Sequence, residues 1–255
     1  MDGDRPVPPA PPLALPSIAG LEAKSPTVDG APASPRPPFK MVYFGGQTLT
    51  PGEQVDLLTR TGSAEDAFRA SGILSICADS RSPGDENADP NSVPDGPGVC
   101  RGITPAHMSM RYPLLQRAVQ ANIETAAALA QRIAPDGRSA AAVGDDPAYA
   151  EWKRTSQLRL EEAANAGDAM ALMQMAMQTG DRSSTAFDAG KAITYWTALA
   201  DKLASTDPRY VDKPDMLLTL QAESRDRVGQ YSQGMSEDAV RAAVSAGHGL
   251  AALRH

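Results

Sequence analysis

The residues best suited to covalent chemistry are Cys77 and Cys100, the only cysteines in the 255-residue chain. They flank a segment of turn-forming and charged residues, and each lies where that segment meets a more apolar flank. A bond between them would tie both flanks together and stabilise the fold by about 3 kcal/mol. We therefore predict a disulfide and an oxidising compartment, either the bacterial periplasm or the exterior. Two buried free thiols, compatible with a cytoplasmic protein, are the alternative.

The histidines do not form a metal-binding pattern. His107, His248 and His255 have no second histidine or cysteine at metal-ligand spacing, so we expect surface histidines. The acidic segment between the cysteines has Pro90 where a calcium-binding loop requires glycine. We therefore predict neither a metal site nor a cofactor.

The paired carboxylates are the remaining candidates for catalysis. Glu161–Glu162 is typical of a solvated helix end, and Asp145–Asp146 of a helix start before proline. No phosphate-binding loop or nucleophile elbow occurs in the sequence. We therefore predict that the protein is not an enzyme; an all-α cell-wall hydrolase is the alternative.

Methionines crowd one predicted helix, at Met170, Met173, Met175 and Met177. Met175 falls on the packing side, whereas the other three lie on a different side of the helix. Flexible methionine stripes suit adaptable peptide-binding surfaces, which makes Met170, Gln174 and Met177 our candidate partner contacts. The alternative is a helix sandwiched between neighbours and apolar all round.

Composition and charge limit the class of partner. The net charge of −7 argues against binding to nucleic acid or to an anionic membrane. The sequence contains no continuous apolar run long enough for a transmembrane helix. With 42% hydrophobic residues, the chain can form one sizeable core or two small ones.

The chain divides into a proline-rich segment and a helical domain. Residues 1–46 hold half of the 22 prolines and predict a disordered tether, which would link the domain to a membrane anchor preceding Met1. A ligand for a proline-binding module and disorder without function are the alternatives. Residues 47–255 predict helices throughout, and four residues have the sequence context of helix N-caps: Thr50, Ser63, Thr104 and Ser236.

A short pattern recurs three times in this domain: an alanine, a second alanine three residues later, then asparagine or glycine, and an alanine four further on. The copies begin at Ala118, Ala163 and Ala243. Asparagine or glycine readily adopts the left-handed conformation that closes a helix, so each copy predicts a helix–turn–helix junction. Such helix pairs bury their apolar faces by stacking on one another.

The copies resemble the Sel-one-like repeat (SLR), a relative of the tetratricopeptide repeat. AANAGDAMALMQMA from Ala163 is similar to the first half of that repeat, and KAITYW from Lys191 to the second. The resemblance implies SLR-like repeats over 104–255, preceded by disulfide-stapled helices over 47–103. It also implies the structural positions of the repeat: Gly167, Ala171, Ala192, Trp196 and Gly247.

We therefore predict an all-α fold, an α-solenoid of stacked antiparallel helix pairs. Proteins with such repeats bind proteins or peptides on a helical surface, so the resemblance implies a non-catalytic adaptor or scaffold in the bacterial cell envelope. An irregular helical bundle is the alternative fold, and a structural envelope subunit is an alternative function.

Overall fold

The computed structural model describes residues 49–80, 89–94, 98–206 and 214–252, and these residues form helices without any β-strand. The predicted all-α class is therefore confirmed. The helices are α1 (Pro51–Thr61), α2 (Ala64–Asp79), α3 (Pro105–Ser109), α4 (Arg111–Gln120), α5 (Ala126–Ala130), α6 (Ala140–Val143), α7 (Ala150–Asn165), α8 (Ala169–Gly180), α9 (Ala189–Ala204), α10 (Pro214–Tyr231) and α11 (Glu237–Ala251). None of these helices is long and apolar enough to cross a membrane. The predicted tether, residues 1–46, lies outside the described residues.

Side-chain caps fix where several helices begin. The Thr50 hydroxyl accepts the backbone N–H of Glu53, and the Glu53 carboxylate accepts the backbone N–H of Thr50 at 2.7 Å. Ser63, Thr104 and Ser236 cap α2, α3 and α11, as predicted. Each cap satisfies backbone amides that have no partner within the helix.

The N-terminal helices pack around an apolar cluster that contains the cysteine pair. Leu74 of α2 is fully buried in this cluster, together with Cys77 at the end of the same helix. Cys77 lies at disulfide distance from Cys100, with the Cα atoms 5.1 Å apart. Next to Cys100, the carbonyl of Arg101 accepts the backbone N–H of Gly52 in α1 at 3.1 Å. The cysteine pair therefore holds α2 against the turn on which α1 begins.

Three helices, α8, α10 and α11, pack on α9. The buried side of α9 includes Leu199 together with Ala192 and Trp196, two of the structural positions that the resemblance implies. The hydroxyl of Tyr231 in α10 donates to the carbonyl of Gly180 at 3.0 Å and ties the end of α8 to α10. Helix α8 is thus fixed along one side by both α9 and α10.

The predicted helix–turn–helix junctions occur at the first two copies of the alanine pattern. Helix α4 is followed by Asn122 and helix α7 by Gly167, with φ angles of 54° and 81°. New helices, α5 and α8, follow these turns. The prediction of a third junction is wrong, because α11 runs without interruption through Gly247.

Two local features explain why α11 continues. Gly167 is followed by Asp168, whose side chain caps α8, whereas Gly247 is followed by His248, a poor N-cap residue. Gly247 instead permits close contact between α11 and α9. A Cβ atom at this position would lie 2.6 Å from the carbonyl oxygen of Thr194.

Candidate interaction surface

The position of α8 depends on one buried carboxylate. Asp168 is only 4% exposed, and its Oδ1 accepts the backbone N–H of Ala171 at 2.9 Å. Its Oδ2 accepts the backbone N–H of Thr125, which begins α5. A negative charge at two helix N-termini is also favoured by the helix dipoles. Asp168 therefore holds the starts of α5 and α8 together.

Helix α8 has one face in the core and one face open. Ala171 and Met175 are buried in the cluster that α8 shares with α7 and α9. On the opposite face, Met170 and Met177 are 38% and 60% exposed. Gln174 lies between them along the helix and is half-buried. The structure thus brings the three candidate contact residues onto one stripe, which we name the α8 stripe.

A chain of side-chain amides borders the α8 stripe. Gln174 and Gln178 of α8 both donate to the side-chain oxygen of Gln131, at 2.6 and 2.9 Å. Gln131 donates to Gln157 of α7 at 2.6 Å, and Gln157 donates to the carboxylate of Glu161 at 3.1 Å. All five side chains are half-buried. We name the four glutamines the glutamine network.

Helix α9 contributes a buried phenol whose pKa responds to the charge of Glu161. Tyr195 of α9 is 8% exposed and belongs to the same core cluster as Met175. Burial raises the pKa of Tyr195, and the charges of Glu161 and Asp188 raise it further. Its hydroxyl makes no hydrogen bond to the described part of the chain. The site therefore contains a neutral hydroxyl that can donate or accept a hydrogen bond.

The histidines are dispersed and paired with carboxylates. His107 Nε2 lies 3.1 Å from Asp56 Oδ1 and links α3 to α1. His248 contacts Asp201 and links α11 to α9. His255 lies outside the described residues. Within the described ranges, no three side chains of metal-binding type come together.

The two acidic pairs also separate in the structure. Glu161 accepts from the glutamine network, whereas Glu162 pairs at 2.7 Å with an arginine one turn earlier in α7. Asp145 pairs with Lys153 at 3.3 Å, whereas Asp146 caps the short 3-10 turn that follows it. Neither pair converges on a common point, as acid–base catalysis by two carboxylates requires.

Sequence reasoning missed most of the glutamine network. It identified Gln174 but not Gln131, Gln157 or Gln178. The first two copies of the alanine pattern begin 45 residues apart, and Gln131 contacts residues 43 and 47 positions later. Equivalent positions of stacked repeats lie side by side, so the repeat spacing itself could have paired these residues.

No family model, curated protein or solved structure matches this chain. The resemblance to SLR proteins therefore remains a prediction from sequence. The functional argument below depends on the geometry of α8 and its neighbours.

Proposed function

We propose that this protein is a non-catalytic adaptor that binds an extended segment of a protein partner along the α8 stripe. The observation that supports this most directly is the exposure of Met170 and Met177 on a helix whose opposite face is buried. Large apolar side chains that share one exposed stripe mark a candidate contact surface. The glutamine network beside them supplies hydrogen-bonding groups.

The chemistry of the stripe suits a peptide ligand. Methionine side chains are flexible and polarisable, so Met170 and Met177 can adapt to different apolar side chains. Glutamine amides both donate and accept hydrogen bonds, as the peptide main chain requires. The packing of the buried side of α8 and the hydrogen bonds of Asp168 fix this helix before a ligand arrives. This lowers the entropy cost of binding.

The proposal includes an SLR-like α-solenoid as the architecture. The two junctions that follow α4 and α7 support it, because they join consecutive helices by the same left-handed turn. The packing of α9 also supports it, since α9 contacts the helix before it and the two helices after it. In a stack of helix pairs, each helix contacts its sequence neighbours in this manner.

We assign the adaptor to an oxidising compartment, the bacterial cell envelope. The support is that Cys77 and Cys100 lie at disulfide distance and are both buried. Thiol labelling of the protein in intact cells, with and without a membrane-permeant reductant, tests this assignment. Labelling of both cysteines without reductant would contradict it.

Peptide selection tests the adaptor function. A random nonapeptide library is selected against the intact chain, and affinities of the enriched peptides are measured by fluorescence anisotropy. The double variant Met170→Ser/Met177→Ser should bind these peptides about tenfold more weakly, which corresponds to a loss of about 1.4 kcal/mol for the two contact residues together. Met216→Ser is the matched control, since Met216 is 55% exposed on α10. Failure to enrich any peptide, or equal loss in the control, would contradict the proposal.

A further inference from the structure

We propose that the bound segment carries a lysine or arginine side chain, and that its cation pairs with the Glu161 carboxylate. This inference rests on the proposed adaptor function and adds the chemical class of the ligand. It follows from two properties of the surface: open acceptors on the glutamine network, and a carboxylate at one end of it that forms no ion pair with the described residues.

The open acceptors belong to Gln174 and Gln178. Both amides donate to Gln131, but their own carbonyl oxygens accept no hydrogen bond from the described part of the chain. The two residues are one helical turn apart, which separates them by about 6 Å along α8. In an extended peptide, N–H groups on the same edge are about 7 Å apart. Two successive N–H groups on that edge can therefore donate to the two glutamine carbonyls.

The carboxylate at the other end of the network has no cationic partner in the part of the chain that the structure describes. Glu161 accepts one hydrogen bond from Gln157 and forms no ion pair within the described ranges. Its sequence neighbour Glu162 is paired with Arg159 at 2.7 Å. Half-buried carboxylates are partly desolvated, so an incoming cation interacts more strongly with Glu161 than with a fully exposed acid.

Tyr195 adds a second group that suits a cation. Its hydroxyl has no hydrogen-bond partner within the described ranges, and an ammonium or guanidinium group can donate to such an oxygen. Burial raises the pKa of Tyr195, and the charges of Glu161 and Asp188 raise it further, so the hydroxyl stays neutral beside a bound cation. A ligand with a carboxylate at this point would be repelled, whereas a lysine or arginine would be attracted.

The charge of the whole chain acts in the same direction. The net charge of −7 attracts basic segments over a distance set by the ionic strength. Long-range attraction raises the association rate, and the local contact with Glu161 supplies position-specific recognition. We therefore expect one fixed basic position in the ligand, rather than a preference for positive charge spread along it.

The test uses the nonapeptides selected on the intact chain. We expect lysine or arginine at one fixed position among the enriched peptides. Replacing that residue by norleucine should weaken binding to the wild-type chain about fivefold, in the range of partly exposed charge pairs. The same replacement should have little effect on the affinity of the Glu161→Gln variant, because the carboxylate that pairs with the cation is absent. The four affinities form a double-mutant cycle that isolates the contribution of the pair.

Glu162→Gln is the matched control, since it removes a neighbouring carboxylate that already has a partner. It should retain the affinity of the wild-type chain, and circular dichroism of both variants checks that they fold. The side-chain amide NMR signals of Gln174 and Gln178 should shift when an enriched peptide is added.

The outcomes separate this inference from the proposed function. The enriched peptides could lack a basic position and still bind the Met170→Ser/Met177→Ser variant more weakly than the wild-type chain. This result would overturn the inference and support the adaptor function. Equal loss in Glu161→Gln and Glu162→Gln would also overturn the inference, because it would indicate a general charge effect. A library that yields no peptide would overturn the adaptor function and the inference together.

Discussion

Asp168 accepts a hydrogen bond from the backbone N–H of Thr125, 43 residues earlier in the chain. Thr125 has a φ of 74°, a left-handed conformation that costs a non-glycine residue about 1–2 kcal/mol. The bond to a buried carboxylate offsets this cost. Since Asp168 also caps α8 through Ala171, the same side chain determines the start of one helix and stabilises the turn before another. The surface that we propose for binding depends on this link.

Asp168→Ala should therefore lower the free energy of unfolding more than loss of an ordinary cap. It removes two bonds from backbone amides to a buried carboxylate, and we expect a loss of about 3 kcal/mol. Ser236→Ala removes only a local cap from α11 and should cost about 1 kcal/mol. Urea unfolding followed by circular dichroism measures both. Equal losses in the two variants would mean that the Thr125 bond contributes nothing.

The disulfide provides the second prediction. Cys77 and Cys100 are 23 residues apart, and loss of a bond that closes such a loop should destabilise the protein by about 3 kcal/mol. Reductant should lower the urea midpoint of the wild-type chain toward that of Cys77→Ala/Cys100→Ala. The double variant is the control, because reductant should leave its midpoint unchanged. A wild-type midpoint that is insensitive to reductant would show that the two thiols are free in solution.

The glutamine network should contribute to stability as well as to binding. Gln131→Leu removes the acceptor shared by Gln174 and Gln178, and two half-buried amides then lack a partner. We expect a loss of about 1–2 kcal/mol in urea unfolding. Gln230→Leu, at an exposed position of α10, is the control and should change stability by less than about 0.5 kcal/mol. If Gln131→Leu were equally harmless, the network would not be formed in solution.

Helix positions could be predicted from the sequence because their determinants are local. Thr50, Ser63, Thr104 and Ser236 lie within three residues of the amides that they cap. The left-handed turn at Gly167 is likewise set by glycine and by the cap that follows it. Such short-range chemistry is present in the sequence itself.

The candidate site could be predicted only in part, because it depends on contacts between distant segments. Met170 and Met177 were identified by helical spacing, which is a local property. The partner of Gln174 lies 43 residues earlier, just after α5, and only the spacing of the alanine pattern, not a local signal, could pair the two residues. The prediction of a turn at Gly247 is wrong for the same reason. A glycine that permits close packing against α9 and a glycine that ends a helix look the same in the sequence.

Asp136 should make the stability depend on pH. Burial opposes ionisation of Asp136, but hydrogen bonds from Tyr149 and Arg138 outweigh burial and lower its pKa. A lowered pKa means that the ionised group stabilises the fold above its unfolded pKa of about 3.9, and this contribution is lost as pH falls through the folded pKa. Because the carboxylate is 37% exposed, the contribution is below about 1 kcal/mol.

Asp136→Asn should therefore be less stable than the wild-type chain at neutral pH, and this difference should be smaller at about pH 3. Urea unfolding at both pH values measures the difference. Asp145→Asn is the control, because Asp145 is fully exposed and its pairing with Lys153 is of little consequence for stability. A difference between wild type and Asp136→Asn that is the same at both pH values would contradict the predicted linkage.

Alanine substitutions at two glycines of α11 test whether this segment is the observed continuous helix or the predicted turn. A Cβ at Gly247 would lie 2.6 Å from the carbonyl oxygen of Thr194, so Gly247→Ala should push α11 away from α9 and cost about 2 kcal/mol. Gly249 has nothing within 4 Å of the same position, so Gly249→Ala should stabilise the helix by about 1 kcal/mol. Thermal unfolding of both variants should give shifts of opposite sign. If Gly247→Ala also stabilised the chain, α11 would not pack on α9, and the support that α9 gives to the proposed stack would be lost.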